Sequence, residues 1–149
     1  MRRMSAHEMQ ALVSRAKWAT ICAVDPQARP YAIEATPFEL DGDICFMINP
    51  RGGVARCLAE NARVLLKYTL ASPDVVQWAG VSCQGLGRFD PEAEALGQGW
   101  EALGQRLGVD YSAQAERFTA SKRSSPLFRV RVEEMTGRCS QNWHDLLAR

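Results

Sequence analysis

The dipeptide Asp41-Gly42 is the tightest constraint in the chain. It separates two strand-like runs, "YAIEATPFEL" (31–40) and "DICFMIN" (43–49). A two-residue connection between strands requires positive φ angles at both positions, which Asp-Gly tolerates, and it can join only antiparallel neighbours. Pro37 lies inside the first run and removes an amide from the ladder. The strand there must lie at an edge, bend or carry a bulge.

Further strands follow the same logic. "WATICAV" (18–24) reaches the hairpin through the turn "DPQARP" (25–30), and "RVLLKYTLA" (63–71) and "VVQWAGVSCQGLGRF" (75–89) are two more. In the latter, Val81, Cys83 and Phe89 share a face, and Gly85 and Gly87 mark a bulge, a corner or a close approach. "PLFRVRVEEM" (126–135) is the last strand, with Phe128, Val130 and Val132 alternating against Arg129 and Arg131. Ser5-Ala6-His7-Glu8 is a capping box opening a helix to about Ala16, with Met9, Leu12, Val13 and Ala16 on one face. Residues 54–61 read as a short helix. Asp90-Pro91-Glu92 opens another as N-cap and first-turn proline, with Ala93, Leu96, Trp100, Leu103 and Leu107 on its inner face and an end near Gly108. A further helical piece spans about 112–119. Many antiparallel strands with few helices predict a mainly β chain, a small barrel with helical additions. Turns this short exclude a parallel doubly wound sheet.

With 149 residues, the chain has the size of one domain spanning 1–149. A net charge of +1 offers no surplus for nucleic acid or an anionic membrane. No apolar run approaches the length of a bilayer span, which takes ~18 residues. The start, "MRRMSAHEMQ", lacks the apolar stretch of a signal peptide, so the expected compartment is cytoplasmic. The five cysteines (22, 45, 57, 83, 139) are dispersed, and with only His7 and His144 available they form no metal-ligand spacing. They read as reduced core residues.

Local chemistry concentrates in "INPRGGVARCLAENARVLL" (48–66), where a strand ends, two glycines follow and a helix begins. Amides at a helix start favour an anion, glycines permit close approach, and Arg51 and Arg56 add charged donors. A plain strand-to-helix turn with solvent arginines gives the same pattern. Ser82, Ser140 or a cysteine with His144 and Asp145 would make a hydrolase set, but none sits in a G-x-S-x-G elbow. The carboxylates Glu92/Glu94 and Glu133-Glu134 read as solvated. Trp78 and Trp143 are packing residues or stacking surfaces.

The ordered set Arg29-Pro30-Tyr31, Asp41-Gly42-Asp43, Phe46-Met47-Ile48-Asn49, Arg51-Gly52-Gly53 and Leu58-Ala59-Glu60-Asn61, followed by "VSCQGLGRF", resembles the pyridoxamine 5′-phosphate oxidase-like, FMN-binding split-barrel superfamily. The likeness is greatest to its small bacterial members related to nitroimidazole-resistance proteins, and it covers roughly 5–90 and 126–137. It implies a six-stranded antiparallel split β-barrel with flanking helices, working as a homodimer with two FMN sites between subunits. The phosphate would lie on Arg51, Gly52 and Gly53 near Arg56. Ile33, Glu34, Ala35 and Thr36 would run beside the isoalloxazine, and Ile48 and Asn49 would close one edge. Ser82, Gln84 and Trp143 would complete the pocket from the partner. The oxidase's own Ser-Arg-Lys loop matches Gly52-Gly53-Val54, so its phosphate-binding lysine is absent here.

The expectation is a flavoprotein oxidoreductase acting on a small electrophile, with no evident acid or base among its side chains and no metal. Alternatives are a non-enzymatic module that stores or senses flavin or haem, and a deazaflavin-dependent reductase.

Overall fold

A computed structural model describes residues 1–121 and 123–148. Its elements in chain order are β1 (Arg2–Arg3), α1 (Ala6–Arg15), β2 (Ala19–Val24), β3 (Pro30–Ala35), β4 (Phe38–Leu40), β5 (Asp43–Met47), α2 (Gly53–Leu58), β6 (Arg63–Ala71), β7 (Trp78–Phe89), α3 (Ala93–Leu107), α4 (Ser112–Thr119), β8 (Leu127–Cys139) and a 3-10 turn, Trp143–Ala148. Every strand pairing is antiparallel. The order across the sheet is β3-β2-β6-β7-β8-β5-β4, with β1 attached to β8.

The two ends of that order are consecutive in the chain. β3 and β4 sit at opposite edges of the sheet, yet only Thr36 and Pro37 separate them. Two intervening residues cannot cross the width of a flat seven-strand sheet, so the sheet curls until its edges meet. Pro37 breaks the predicted 31–40 strand there, and the barrel closes through a seam of covalent chain. The expected split barrel is what forms, with eight strands because the seam divides one and the N-terminus adds a two-residue pair.

Local chemistry explains the rest. Asp41 and Gly42 take φ of 51° and 81°, the hairpin geometry that the dipeptide predicts. The register slips between Gln84 and Gly85, where a β-carbon on Gly85 would collide with the Arg131 carbonyl oxygen, so glycine is required for the approach. The capping box forms: the Glu8 amide donates to Ser5 Oγ (3.3 Å), and the Ser5 amide donates to the Glu8 carboxylate (2.8 Å). That carboxylate also accepts from Arg2 (2.6 Å), Trp143 Nε1 (3.2 Å) and His144 Nε2 (3.0 Å), joining both chain ends to α1.

Inside the curl, Leu12, Ile21, Phe46, Leu66, Tyr68, Val81, Phe128 and Trp143 form the main core. Phe38, Cys45, Leu96, Leu103 and Leu127 pack α3 onto β4, β5 and β8. All five cysteines are free, Cys22 half-buried and the others buried. Burial pushes the Cys45 and Cys83 thiols up, to about 12 and about 11, so both stay protonated.

Two expectations change. Helix α3 is capped at Glu92, not Asp90. Asp90 instead accepts the Glu92 amide (3.1 Å) and turns its carboxylate to Arg129 (3.1 Å) and Arg88 (3.3 Å). Arg129, placed outward by strand alternation, is buried because α3 covers that face of β8. Its guanidinium reaches Asp43 (2.9 Å), Asp90, Asp41 (3.5 Å) and the Leu40 carbonyl (3.3 Å). Burial works against ionisation of Asp90, but the Glu92 amide and the two arginines outweigh it and hold its carboxyl below the usual range.

Replacing Arg129 by methionine should therefore cost about 3–5 kcal/mol, because Asp90 and Asp43 lose their buried counter-charge. Urea unfolding checks this. In the parent, the Asp90 contribution is fully present above its unfolded pKa and is lost as pH falls through its depressed folded value. The urea midpoint should accordingly hold near neutrality and drop below about pH 4.

Candidate functional site

Two hollows meet at the end of β5. One, about 410 Å³, lies along the seam: Ile33, Glu34, Ala35 and Thr36 form one wall, Met47, Ile48 and Asn49 the floor, and Leu103, Leu107 and Tyr111 the roof. The second, about 690 Å³, shares Met47, Ile48 and Asn49 and extends past Pro50 and Arg51 to Trp100, Phe118, Arg123 and Ser124. Together they make one trough, apolar along the seam and cationic beyond β5.

The seam generates the first hollow. As an edge strand, β3 leaves one side of its backbone unpaired, the facing edge strand β4 is only three residues long, and β5 beyond it ends at Met47, so the curled sheet is open there. Ile33 and Ala35 turn into the core, whereas Glu34 points outward and accepts a long hydrogen bond from Thr20 Oγ1 (3.5 Å). In the second hollow Trp100 packs against Tyr111 (5.4 Å between ring centroids) and Phe118 (5.6 Å, nearly stacked). Its Nε1 is buried without a hydrogen-bond partner, which is uncommon in a folded interior. Arg51 and Arg123 are exposed, and among the described residues neither pairs with a carboxylate.

The loop after β5 is a built turn. Asn49 Oδ1 accepts the Arg51 amide (2.9 Å) and its carbonyl accepts the Gly52 amide (3.0 Å), so two of the amides expected to face an anion are already engaged. Gly53 is buried for a different reason. A β-carbon there would run into Cζ of Tyr31, so the glycine lets the tyrosine ring seat against the helix start. Helix α2 follows from Gly52 as N-cap. Arg51 and Arg56 do not converge. Arg51 lines the trough, while Arg56 lines a separate hollow of about 580 Å³ with Tyr31, Gly53, Asp25 and Arg29. Arg29 in that hollow is held by Asp25 (2.8 Å).

The structure thus brings Ile33 to Thr36, Ile48, Asn49 and Arg51 together and separates Gly53 and Arg56 from them. Ser82 and Gln84 lie on the outer face of the sheet, in cross-strand rows. Glu34, Thr20, Lys67, Ser82 and Thr136 form one row, where Lys67 Nζ donates to Ser82 Oγ (3.3 Å). Trp143, expected on the partner's side of the pocket, is fully buried in its own core with its indole N–H on Glu8. Sequence patterns do not place Trp100, Tyr111, Phe118 or Arg123 at the site. The stripe Leu96-Trp100-Leu103-Leu107 marks the covering face of α3, but nothing local says which strand it covers. Among the described residues no cluster of acidic, cysteine and histidine side chains is set to hold a metal, and no helix is long and apolar enough to cross a membrane.

No family model and no curated protein matches the sequence. Solved structures match its fold. A candidate 5-nitroimidazole antibiotic resistance protein from Bacteroides thetaiotaomicron superposes with a TM-score of 0.69 at 15% identity, over 91% of this chain and 85% of that one. The FAD and haem binding protein from Mycobacterium smegmatis gives 0.70 at 16%, over 96% and 75%. The haem storage protein HutZ from Vibrio cholerae gives 0.64 at 15%, over 87% and 92%. The fold read from the sequence is the fold these proteins share, a curled antiparallel split barrel with flanking helices.

The Gly53–Tyr31 contact has a measurable consequence. Gly53→Ala should destabilise the protein by about 1–3 kcal/mol through overpacking. In the Tyr31→Ala background the same change should cost much less, because the ring it collides with is gone. A double-mutant cycle in urea measures the coupling.

Proposed function

We propose that the trough binds a flavin nucleotide, its ring system along the seam and its phosphate beyond the end of β5. The observation that carries this reading is the polarity of the trough. An apolar slot formed by Ile33, Ala35, Ile48 and Leu103 opens directly onto Arg51 and Arg123, two guanidiniums without carboxylate partners among the described residues. A planar, largely apolar ring system with an anionic tail matches that arrangement. The Trp100 ring borders the cationic end. With the Arg51 and Gly52 amides engaged by Asn49, arginine side chains contribute more to holding the phosphate than the loop backbone does. Fold neighbours that bind FAD and haem, or store haem, agree with a ligand of this kind.

Bound there, a flavin would supply hydride or electron transfer to a small electrophile. This chain's part is to hold and orient it. Leu103, Leu107 and Tyr111 would exclude water from one side, and the seam backbone would line the other. Haem fits less well, because neither histidine lines the trough: His7 is exposed on α1 and His144 is bound to Glu8. FMN is the cofactor we favour, with deazaflavin as the variant having a longer tail.

A second copy of the chain is part of this proposal. The outer face of β2, β6 and β7 carries half-buried Cys22, Leu65, Lys67 and Ser82, with Trp18 64% exposed and Val24 42% exposed. This face is mixed, its exposed Trp18 and Val24 lying beside the polar row Thr20, Lys67 and Ser82, and association of two barrels would cover its apolar part.

Titration of the protein with FMN and riboflavin, followed by flavin fluorescence quenching, tests the cofactor. FMN should bind more tightly, and Arg51→Ala should weaken FMN by about 1.5–3 kcal/mol, tenfold or more, while changing riboflavin little. Equal affinity for both flavins, or for neither, would remove the reading, and a Soret band in freshly purified protein would favour haem instead. Sedimentation should give twice the 16.6 kDa chain mass, and a monomer stable to concentration would exclude the dimer.

A further inference from the structure

On the other side of the seam lies a cavity of about 250 Å³ that shares no residue with the trough. Its walls are Val13 of α1, Pro37 of the seam, Phe38 of β4, Ile44 of β5 and Ala102 of α3. Tyr68, projecting inward from β6, lines it as well. This tyrosine is wholly buried, yet its hydroxyl has no hydrogen-bond partner. Burial, with Cys83 and Glu39 adding and Arg106 opposing, pushes the phenol up, so the hydroxyl stays neutral. A buried hydroxyl left unpaired costs free energy, and natural interiors rarely leave one so.

We propose that this cavity is a binding site for a small uncharged molecule, with a compact apolar body and one hydrogen-bonding atom that meets Tyr68. Size sets the first limit. A cavity of ~150 Å³ holds benzene, and drug-sized ligands need ~300 Å³ or more. The 250 Å³ present here therefore suits a single ring with one substituent. Charge sets the second. Arg106 lines the cavity, but its two terminal nitrogens donate to the Ser14 and Ala16 carbonyls at the end of α1. Glu39, exposed at the rim, accepts from Gln10 (3.2 Å), and Gln105 donates to Glu101 (3.4 Å). One cation, one anion and the carbonyl end of a helix make no net demand for an ionised ligand. The hollow opens to solvent at its polar end, where Ser14, Glu39 and Gln105 are exposed, whereas the Tyr68 hydroxyl lies buried at its inner end.

The test uses p-cresol, toluene of the same shape without the hydroxyl, and benzoate. Methyl signals of Ile44 and Val13 report on this cavity and not on the trough, so flavin binding does not enter the result. p-Cresol should shift both methyls saturably, and benzoate should not. Tyr68→Phe should weaken p-cresol roughly three- to tenfold and leave toluene within about twofold. Ala102→Leu, which fills the cavity from α3, should abolish the shifts while the remaining methyl signals stay dispersed as in the parent. The proposal is overturned if p-cresol gives no saturable shift, if benzoate binds as well as p-cresol, or if Tyr68→Phe leaves the p-cresol affinity unchanged. It also fails if Ala102→Leu leaves the shifts in place. The hydroxyl would then be met by a buried water alone.

Discussion

The sheet's two edges are neighbours in sequence, and the architecture follows from that covalent fact. Between Ala35 and Phe38 the chain can span roughly 11 Å, far less than the width of seven strands laid flat. Curling is compulsory, and it is made possible at three places. Pro37 ends one strand and starts another, the hairpin at Asp41-Gly42 turns with both φ angles positive, and the Gln84/Gly85 slip lets β7 and β8 bend where a side chain would strike the Arg131 carbonyl. Once the edges meet, inward-facing residues from every long strand share one core.

Arg129 ties the hairpin and the start of β5 to the entry of α3. Three aspartates from the hairpin, the start of β5 and the entry to α3 converge on one guanidinium, beneath the helix that covers β4, β5 and β8. The value of such a network lies less in net energy than in what its disruption exposes, since loss of the arginine leaves the buried Asp90 and the largely buried Asp43 without their counter-charge. It fixes where α3 lies. That position decides the roof of the trough and the far wall of the Tyr68 cavity, because two neighbouring faces of α3 line the two hollows: Leu103 and Leu107 one, Ala102 and Arg106 the other.

The same geometry reassigns the loop after β5. Its glycines look like a phosphate cradle, yet Asn49 takes two of the amides and Tyr31 occupies the space over Gly53. Of the two loop arginines, only Arg51 faces the trough. Arg56, three residues after Gly53 on the short helix, shares that residue's face and lines the separate hollow with Tyr31.

Period, turn chemistry and capping are local, and they were legible in the chain. The hairpin, the capping box at Ser5 and Glu8, the bulge glycine, the break at Pro37 and the buried thiols all follow from neighbours close in sequence. The grouping of Ile33 to Thr36 with Ile48 and Asn49 came from resemblance to a family. The burial of Arg129 and Trp143, the release of Asp90 from its capping role and the arrival of Trp100 and Arg123 at the trough were not legible. Each depends on an element distant in sequence, whose placement is set by how the curled sheet and α3 pack. Sequence by itself determined most of the strands and helices and that short connections join antiparallel neighbours, because backbone geometry limits what a few residues can span. Only the tertiary structure decided which charges are buried and which arginine meets the trough, because burial is a property of what lies opposite.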